Sequence, residues 1–307
     1  MLILEDLGQP RSNFEILAGK QFLPYQILWE GDSISPDPQR LEILVTVKRS
    51  VDRELLGIFP KLRMVAVAFS GFDSVDLEAC RSRGIAVFNV PAYATHSVVE
   101  LALGLTLSLL REIPLSDQTL RSGEWSLRPG LELHGRTVGI LGTGNTGLAT
   151  ARIFKALGCE ILGLSRTERE EFTALGGTYL KDKKEFFASS DIISIHLALN
   201  QHTRGFVDRE AFSAMRSTAF LINTARGPIL DEAALVGALE NHQIAGAGLD
   251  VFEREPIGED NPLLRMKNVV LTPHIAFKTE EALLRRMQVT VSNIVAFLDG
   301  NPANRVD

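Results

Sequence analysis

Cysteine is nearly absent from this chain of 307 residues: only Cys80 and Cys159 occur, far apart and without metal-ligand spacing. That argues against a disulfide scaffold and predicts reduced thiols in a cytoplasmic protein. Long apolar runs are missing as well. The longest candidate, 98–110, is interrupted by Glu100 and falls short of a membrane span. Nor is charge of one sign concentrated anywhere, the formal net charge of −6 being spread along the chain. Without a polybasic run, a helix-turn-helix or a zinc-finger spacing, nothing points to nucleic acid or a membrane surface as partner. The stretch Met1–Leu7 has no basic residue and reaches Glu5 and Asp6 too soon for a signal peptide, so it reads as an opening strand. His96, His134, His196, His202 and His242 lack acidic neighbours at metal-binding spacing, and no metal site is expected.

What is present fits two soluble α/β domains: hydrophobic residues make up 45% and charged residues 23%. Apolar strand candidates at 2–4, 26–28, 43–47, 64–68 and 85–88 alternate in their later part with helical segments at 52–59 and 74–82. Such alternation predicts βαβ units and a parallel sheet. Pro91 breaks the rhythm, and Ser97-Val-Val-Glu100 has the form of a capping box opening a long helix to Arg111. That helix is apolar on nearly every face, which predicts burial between domains or at a homodimer interface. A second βα series follows, with strands at 137–141, 160–164, 191–195, 218–223, 244–250 and 268–272. An amphipathic helix over 280–298 carries Leu283, Leu284, Met287, Val291, Ile294, Val295 and Leu298 on one stripe.

The first strand of that second series runs straight into Gly142-Thr-Gly144-Asn145-Thr146-Gly147, a G-x-G-x-x-G spacing, with a helix expected over 148–157 and Gly158 at its end. Strand before and helix after are the context in which this pattern binds a dinucleotide. The glycines permit the turn, the approach of the pyrophosphate and the packing of helix on strand, while the helix N-terminus offers free N–H groups. The next strand ends at Ser165-Arg166-Thr167, where an NAD site usually carries a carboxylate for the ribose. A hydroxyl and a guanidinium would instead bind a 2′-phosphate, so NADP(H) is expected over NAD(H); the bland alternative is that Arg166 solvates a strand end.

Three segments close later strands: Asn223-Thr224-Ala225-Arg226-Gly227, Asp250-Val-Phe-Glu-Arg-Glu255-Pro256 and Thr272-Pro-His274. Hydride transfer to a ketone needs a cation to hold the anionic substrate and an acid to protonate the developing alkoxide. Arg226 could supply the first and His274 the second, with Glu255 fixing the imidazole tautomer and favouring its charged form. Singly each is as readily a turn residue. Together, after a cofactor fingerprint, they read as a reductase site. A dinucleotide-sensing binding protein would need only the cofactor site, and retention of all three side chains argues for turnover.

These blocks, with Gly71-Phe-Asp-Ser-Val-Asp76, Asn89-Val-Pro-Ala-Tyr-Ala-Thr95 and Thr272-Pro-His-Ile275, resemble the D-isomer-specific 2-hydroxyacid dehydrogenases over nearly the full length. The resemblance implies two Rossmann-like or flavodoxin-like parallel-sheet domains separated by an active-site cleft. Residues 1–97 and 279–307 would form the substrate domain and 98–278 the dinucleotide-binding domain. It implies Arg226 as substrate-binding arginine, His274 as acid/base and Glu255 as its partner. Ser70 and Gly71 would offer N–H groups to the substrate carboxylate, Asp250 would contact the nicotinamide carboxamide, and 224–226 would line the nicotinamide. His196 is expected to end a strand beside the cofactor. Ser165-Arg166-Thr167 is similar to NADP-using glyoxylate/hydroxypyruvate reductases, whereas Ala198 and Asn200 depart from the family's usual Pro and Thr. Tyr93 and Phe277 would either close around a small R group or pack the domain hinge. Lys48 and Arg49 would either meet a polar substituent or sit at a solvated strand end. Hydroxypyruvate or glyoxylate is the expected small-molecule substrate, with D-lactate/pyruvate chemistry second.

Overall fold

A computed structural model describes residues 1–22, 25–33 and 36–307, which form two α/β units, 1–94 with 278–307 and 95–277. In the first, strands β1 (Leu2–Ile3), β2 (Leu28–Trp29), β3 (Ile43–Thr46), β4 (Met64–Val67) and β5 (Ala86–Phe88) lie in the order β2-β1-β3-β4-β5. Every pairing is parallel: Leu2 sits opposite both Leu28 and Leu44, and Met64 opposite Ile43 and Ala86. This is the flavodoxin-like order. All the strand residues are buried, as expected where helices cover both faces and the strands read as continuous apolar runs.

Helices Arg53–Ile58 and Leu77–Ser82 begin where Asp52 and Asp76 accept from the backbone N–H groups of Leu55 (2.9 Å) and Ala79 (2.8 Å). A further helix, Arg11–Ala18, went unread in the sequence; it starts after Pro10 without a capping side chain and buries only Phe14 and Ala18. Helix Glu280–Leu298 has the expected bounds and packs on Arg11–Ala18 and β4. Its stripe is narrower than read, because Leu284 lies on the exposed side. Polar ties reinforce the apolar ones: Arg286 donates to the Leu7 carbonyl, and Asn293 Nδ2 donates to the Asn89 carbonyl at 2.8 Å.

The second unit is a seven-stranded parallel sheet of β6 (Thr137–Leu141), β7 (Glu160–Leu164), β8 (Thr178–Tyr179), β9 (Ile192–Ile195), β10 (Phe220–Asn223), β11 (Gly246–Leu249) and β12 (Val269–Leu271), ordered β12-β11-β10-β9-β6-β7-β8. Strand β8, of two residues, is too short to show a periodicity and was not anticipated. Side chains alternate between two cores. Ile193, Ile195, Leu221 and Leu249 join Phe186, Phe187, Phe212 and Leu235 on one face. Val138, Ile140, Ile192 and Ile222 meet Leu105, Ala151 and Phe154 on the other. The strand order reverses between β6 and β9, the switch point at which open α/β sheets bind ligands beyond the strands' carboxyl ends.

Helix Thr95–Leu110 packs on β10, β11, β12 and the helix Asn145–Ala156, so much of its apolar surface is used inside its own unit. The expected capping box is not formed. The helix already begins at Thr95, which places Ser97 inside the first turn, whereas an N-cap needs non-helical backbone.

Candidate active site

The fingerprint turn joins β6 to the helix Asn145–Ala156, three residues earlier than the sequence suggested. Gly147 is there for lack of space: a Cβ would stand 1.9 Å from the Gly142 carbonyl oxygen. Gly144 is the N-cap residue, and no side chain caps the helix. A Cβ on Gly144 would meet nothing within 4 Å, so the first turn, with Asn145 and Thr146, keeps its N–H groups open to an anion. Beside this turn the His196 backbone N–H donates to the Leu141 carbonyl at 2.8 Å, and its Nε2 meets Ser194 Oγ at 2.8 Å. Burial lowers the His196 pKa to about 4, so this imidazole is neutral at physiological pH.

At the carboxyl ends of β10, β11 and β12 the three expected segments lie side by side, since Asn223 pairs with Leu249 and Leu249 with Leu271. Asn223, fully buried, folds its turn: Nδ2 donates to the Arg226 carbonyl (2.9 Å), and Oδ1 accepts from the Ala225 N–H (3.0 Å). Arg226 follows in extended conformation, half-buried, with Nη1 on the Ala225 carbonyl at 2.8 Å. Gly227 allows the crossing behind it, because a Cβ would come within 1.8 Å of the Phe252 carbonyl oxygen. The Thr224 hydroxyl is buried and has no hydrogen-bond partner among the described residues. A buried polar atom in that condition is costly unless a ligand meets it. Together with the open fingerprint turn, it shows that these residues fit a bound dinucleotide.

Asp250 does more than the sequence suggested. Its carboxylate, 0% exposed, accepts from Thr272 Oγ1 (2.6 Å) and from the N–H groups of Ile275 and Ala276 (2.8 Å each). Its carbonyl accepts from the His274 N–H at 2.8 Å. Burial pushes the Asp250 carboxyl above its ordinary pKa, against the hydrogen bonds that favour its charged form. This clamp grips both sides of His274, whose φ of +52° is rare for a residue with a Cβ. His274 Nδ1 lies 2.5 Å from Glu255 Oε2, and Glu255 Oε1 in turn accepts from the Phe252 N–H at 3.2 Å. Phe277 stands edge-on to the imidazole with ring centroids 5.6 Å apart. The structure thus brings His274, Glu255, Phe277 and Asp250 together.

In the first unit the Tyr93 ring is buried and packs edge-on at 5.9 Å against Phe69, the residue that precedes Ser70 and Gly71 in the chain. The Ser70 carbonyl is held by Asn89 Nδ2 at 2.8 Å. Of the two basic residues after β3, Arg49 is ion-paired with Glu30, and Lys48 Nζ lies 5.6 Å from the Phe69 ring centroid.

Ser165 is half-buried at the end of β7, with Arg166 and Thr167 exposed beyond it. A residue that went unread lies just past them: Arg169 Nη1 donates to Asn145 Oδ1 at 3.2 Å. Nothing in the local pattern could have signalled that contact, which joins positions 24 apart.

Comparison with known proteins adds to this geometry. Residues 103–276 match the D-isomer specific 2-hydroxyacid dehydrogenase, NAD binding domain. A glyoxylate reductase from Aeropyrum pernix is 40% identical over 267 residues, covering 84% of this chain and 80% of that protein. The NADPH-dependent glyoxylate/hydroxypyruvate reductase of Sinorhizobium meliloti, solved with NADP and malonate, superposes with a TM-score of 0.87 at 32% identity, covering 99% of this chain and 96% of that one. D-Lactate dehydrogenase from Aquifex aeolicus, solved with NAD and lactic acid, gives 0.86 at 28% identity, covering 98% and 96%.

Proposed function

Because the chain belongs to the D-isomer specific 2-hydroxyacid dehydrogenase family, whose members are NAD(P)-dependent enzymes, we propose that it reduces glyoxylate or hydroxypyruvate to the 2-hydroxy acid with NADPH. The observation that carries this reading is the 2.5 Å contact between His274 and Glu255, set at the same sheet edge as Arg226.

The nicotinamide nucleotide, when bound, supplies the hydride. Arg226 holds the substrate carboxylate and polarises the ketone. His274 gives a proton from Nε2 to the developing alkoxide, while Glu255 on Nδ1 orients the ring and stabilises the imidazolium before the proton leaves. Hydride on carbon and proton on oxygen complete the alcohol. Thr224 and Ala225 would hold the nicotinamide side of the bound nucleotide, giving the buried Thr224 hydroxyl a partner. Asp250 would accept from the carboxamide of the bound nucleotide while keeping its grip on the His274 turn. Phe277, edge-on to the imidazole, limits the size of the substrate's R group.

NADPH is favoured because no carboxylate stands at Ser165-Arg166-Thr167 to repel a 2′-phosphate. Pyruvate is the second substrate considered, since the lactate dehydrogenase of similar structure shares the architecture. The test is kcat/KM for glyoxylate, hydroxypyruvate and pyruvate with NADPH and with NADH. We expect NADPH with one of the first two to lead. Well-folded protein that binds NADPH yet turns over no keto acid would instead be a sensor. His274→Ala should lower kcat by about a thousandfold with little change in NADPH affinity; equal losses in both would remove the acid/base assignment.

We also assign the protein as a homodimer, joined through the segment after the long helix. Helix Ile113–Arg121 buries no residue, and Ile113, Leu120, Trp125 (81% exposed) and Leu127 present apolar side chains to solvent around it. Trp125→Ser with Leu127→Ser should give monomers in sedimentation velocity at micromolar concentration. A wild type already monomeric there would refute the assignment.

A further inference from the structure

Beyond the residues at the end of β7, the structure ties the segment 165–169 to the fingerprint by a chain of hydroxyl groups. The Arg169 backbone N–H donates to Tyr179 Oη (3.0 Å), and that hydroxyl donates to Thr143 Oγ1 (2.8 Å). Thr143 Oγ1 in turn lies 3.4 Å from the Thr167 carbonyl that accepts from it. Each hydroxyl donates once and accepts once, so the direction of the chain is fixed. Thr143, 1% exposed, is the residue between the first two glycines of the fingerprint. The Tyr179 ring is itself steadied against Phe172, with centroids 4.7 Å apart.

The same segment is tied a second time through its side chain. Arg169 Nη1 on Asn145 Oδ1 places a solvent-facing guanidinium at the first residue of the fingerprint helix. Two cations, Arg166 and Arg169, thus flank a short loop whose backbone is pinned at both ends to the turn that receives the pyrophosphate. Arginine's planar fork suits a phosphate dianion, and a pre-positioned fork loses less freedom on binding. The acidic neighbours Glu168, Glu170 and Glu171 are exposed and screened by solvent.

We propose that Arg169 is a second cation for the 2′-phosphate of NADPH, and that the Tyr179–Thr143 hydroxyl chain is a positioning device that sets cofactor choice. The proposal rests on the NADPH reading above. The Asn145 contact is then a holding contact, exchanged for phosphate when the nucleotide binds.

The test is direct binding without substrate: dissociation constants for NADPH and NADH by fluorescence titration, and thermal shifts with adenosine 2′,5′-bisphosphate and with 5′-AMP. Arg169→Ala should weaken NADPH by about tenfold or more and NADH by less than about threefold, with Arg169→Lys recovering part of the loss. Tyr179→Phe keeps the ring and removes the relay, and should weaken NADPH about three- to tenfold while sparing NADH. The bisphosphate should stabilise the wild type more than 5′-AMP does, and this difference should shrink in both variants. Equal weakening of both nucleotides by Tyr179→Phe would reduce the chain to a structural element and overturn the positioning role. If the wild type prefers NADPH and Arg169→Ala keeps that preference intact, the second cation falls while the NADPH reading stands. If the wild type itself prefers NADH, both fall.

Discussion

After β3 the N–H groups of Val47, Lys48 and Arg49 turn toward one point, and the Glu5 carboxylate fills it at 2.6, 2.9 and 2.8 Å, with the Thr46 hydroxyl adding a bond of 2.8 Å. After β6 the corresponding turn leads into a helix whose N-cap, Gly144, brings no side chain. Both are strand ends in parallel sheets, where backbone donors gather. In one the chain supplies its own anion, from 41 to 44 residues away in sequence, and the turn becomes a structural tie. In the other it does not, although elsewhere Asp52, Asp76, Asp182, Asp208 and Asp231 cap helices of the same two units. The difference separates a turn used for stability from one used for binding. Glycine at the second leaves the helix without a side-chain cap, at a cost of roughly a few tenths of a kcal/mol relative to an aspartate cap.

The comparison can be broken most severely at Gly147. Gly147→Ala would drive a Cβ into the Gly142 carbonyl, 1.9 Å away, and should weaken NADPH binding about a hundredfold or more in a fluorescence titration. Unchanged affinity would mean the turn is not the pyrophosphate site. Gly144→Asp makes the second turn resemble the first. With nothing within 4 Å of its Cβ, the new carboxylate can cap the helix. It should raise the melting temperature of the ligand-free protein slightly, by roughly a few tenths of a kcal/mol of stability, yet weaken the dinucleotide about ten- to a hundredfold by occupying its donors and repelling its charge. A variant that gained stability and kept its affinity would show that the phosphates bind elsewhere.

Glu5→Gln works on the other turn. Burial by itself would raise the Glu5 pKa, but the donors from Arg49, Val47, Thr46 and Lys48 outweigh it and hold the carboxyl below its ordinary 4.5. A depressed folded-state pKa means the stabilisation is fully present above pH 4.5 and is lost as pH falls through the lower folded value. The variant should therefore be about 1–2 kcal/mol less stable than wild type by urea unfolding at pH 7, and the two curves should converge in acid. A pH-independent gap would point to packing rather than charge. The smallest effect is expected at Thr224→Val, which removes the orphaned hydroxyl: a few-fold weaker NADPH binding, with the ligand-free protein no less stable. A clear loss of stability would show that the hydroxyl already serves the fold.

Much of this site was legible because its signals are local. The fingerprint, the strand ends carrying Arg226, Asp250 and His274, and the helix Glu280–Leu298 each announce themselves within a few residues through spacing, alternation or a 3.6-residue stripe. What stayed hidden depends on residues far apart in sequence. Glu5 reads as an early charge after a strand, and only the folded sheet brings it under the turn after β3. Tyr179 lies on a strand of two residues and reaches Thr143 across 36 positions. Arg49 offered a free cation in the sequence, but Glu30 claims it. The Ser97 reading failed for a related reason: a capping box is a pattern of four residues, and whether the chain is already helical two residues earlier depends on what the helix packs against.

The first unit is built from both ends of this stretch of chain, with Asn293 bonded to Asn89 and the Val306 N–H to the Val87 carbonyl. The second unit is continuous. During synthesis the nucleotide-holding lobe is therefore complete while its neighbour still lacks the helix that covers one face of its sheet, and the early strands must wait, partly unshielded, for their partner to emerge from the ribosome. Chaperone demand and aggregation in the cell should accordingly concentrate on residues 1–94, and a nascent chain stalled with residue 278 just outside the exit tunnel should protect residues 95–277 from protease before residues 1–94.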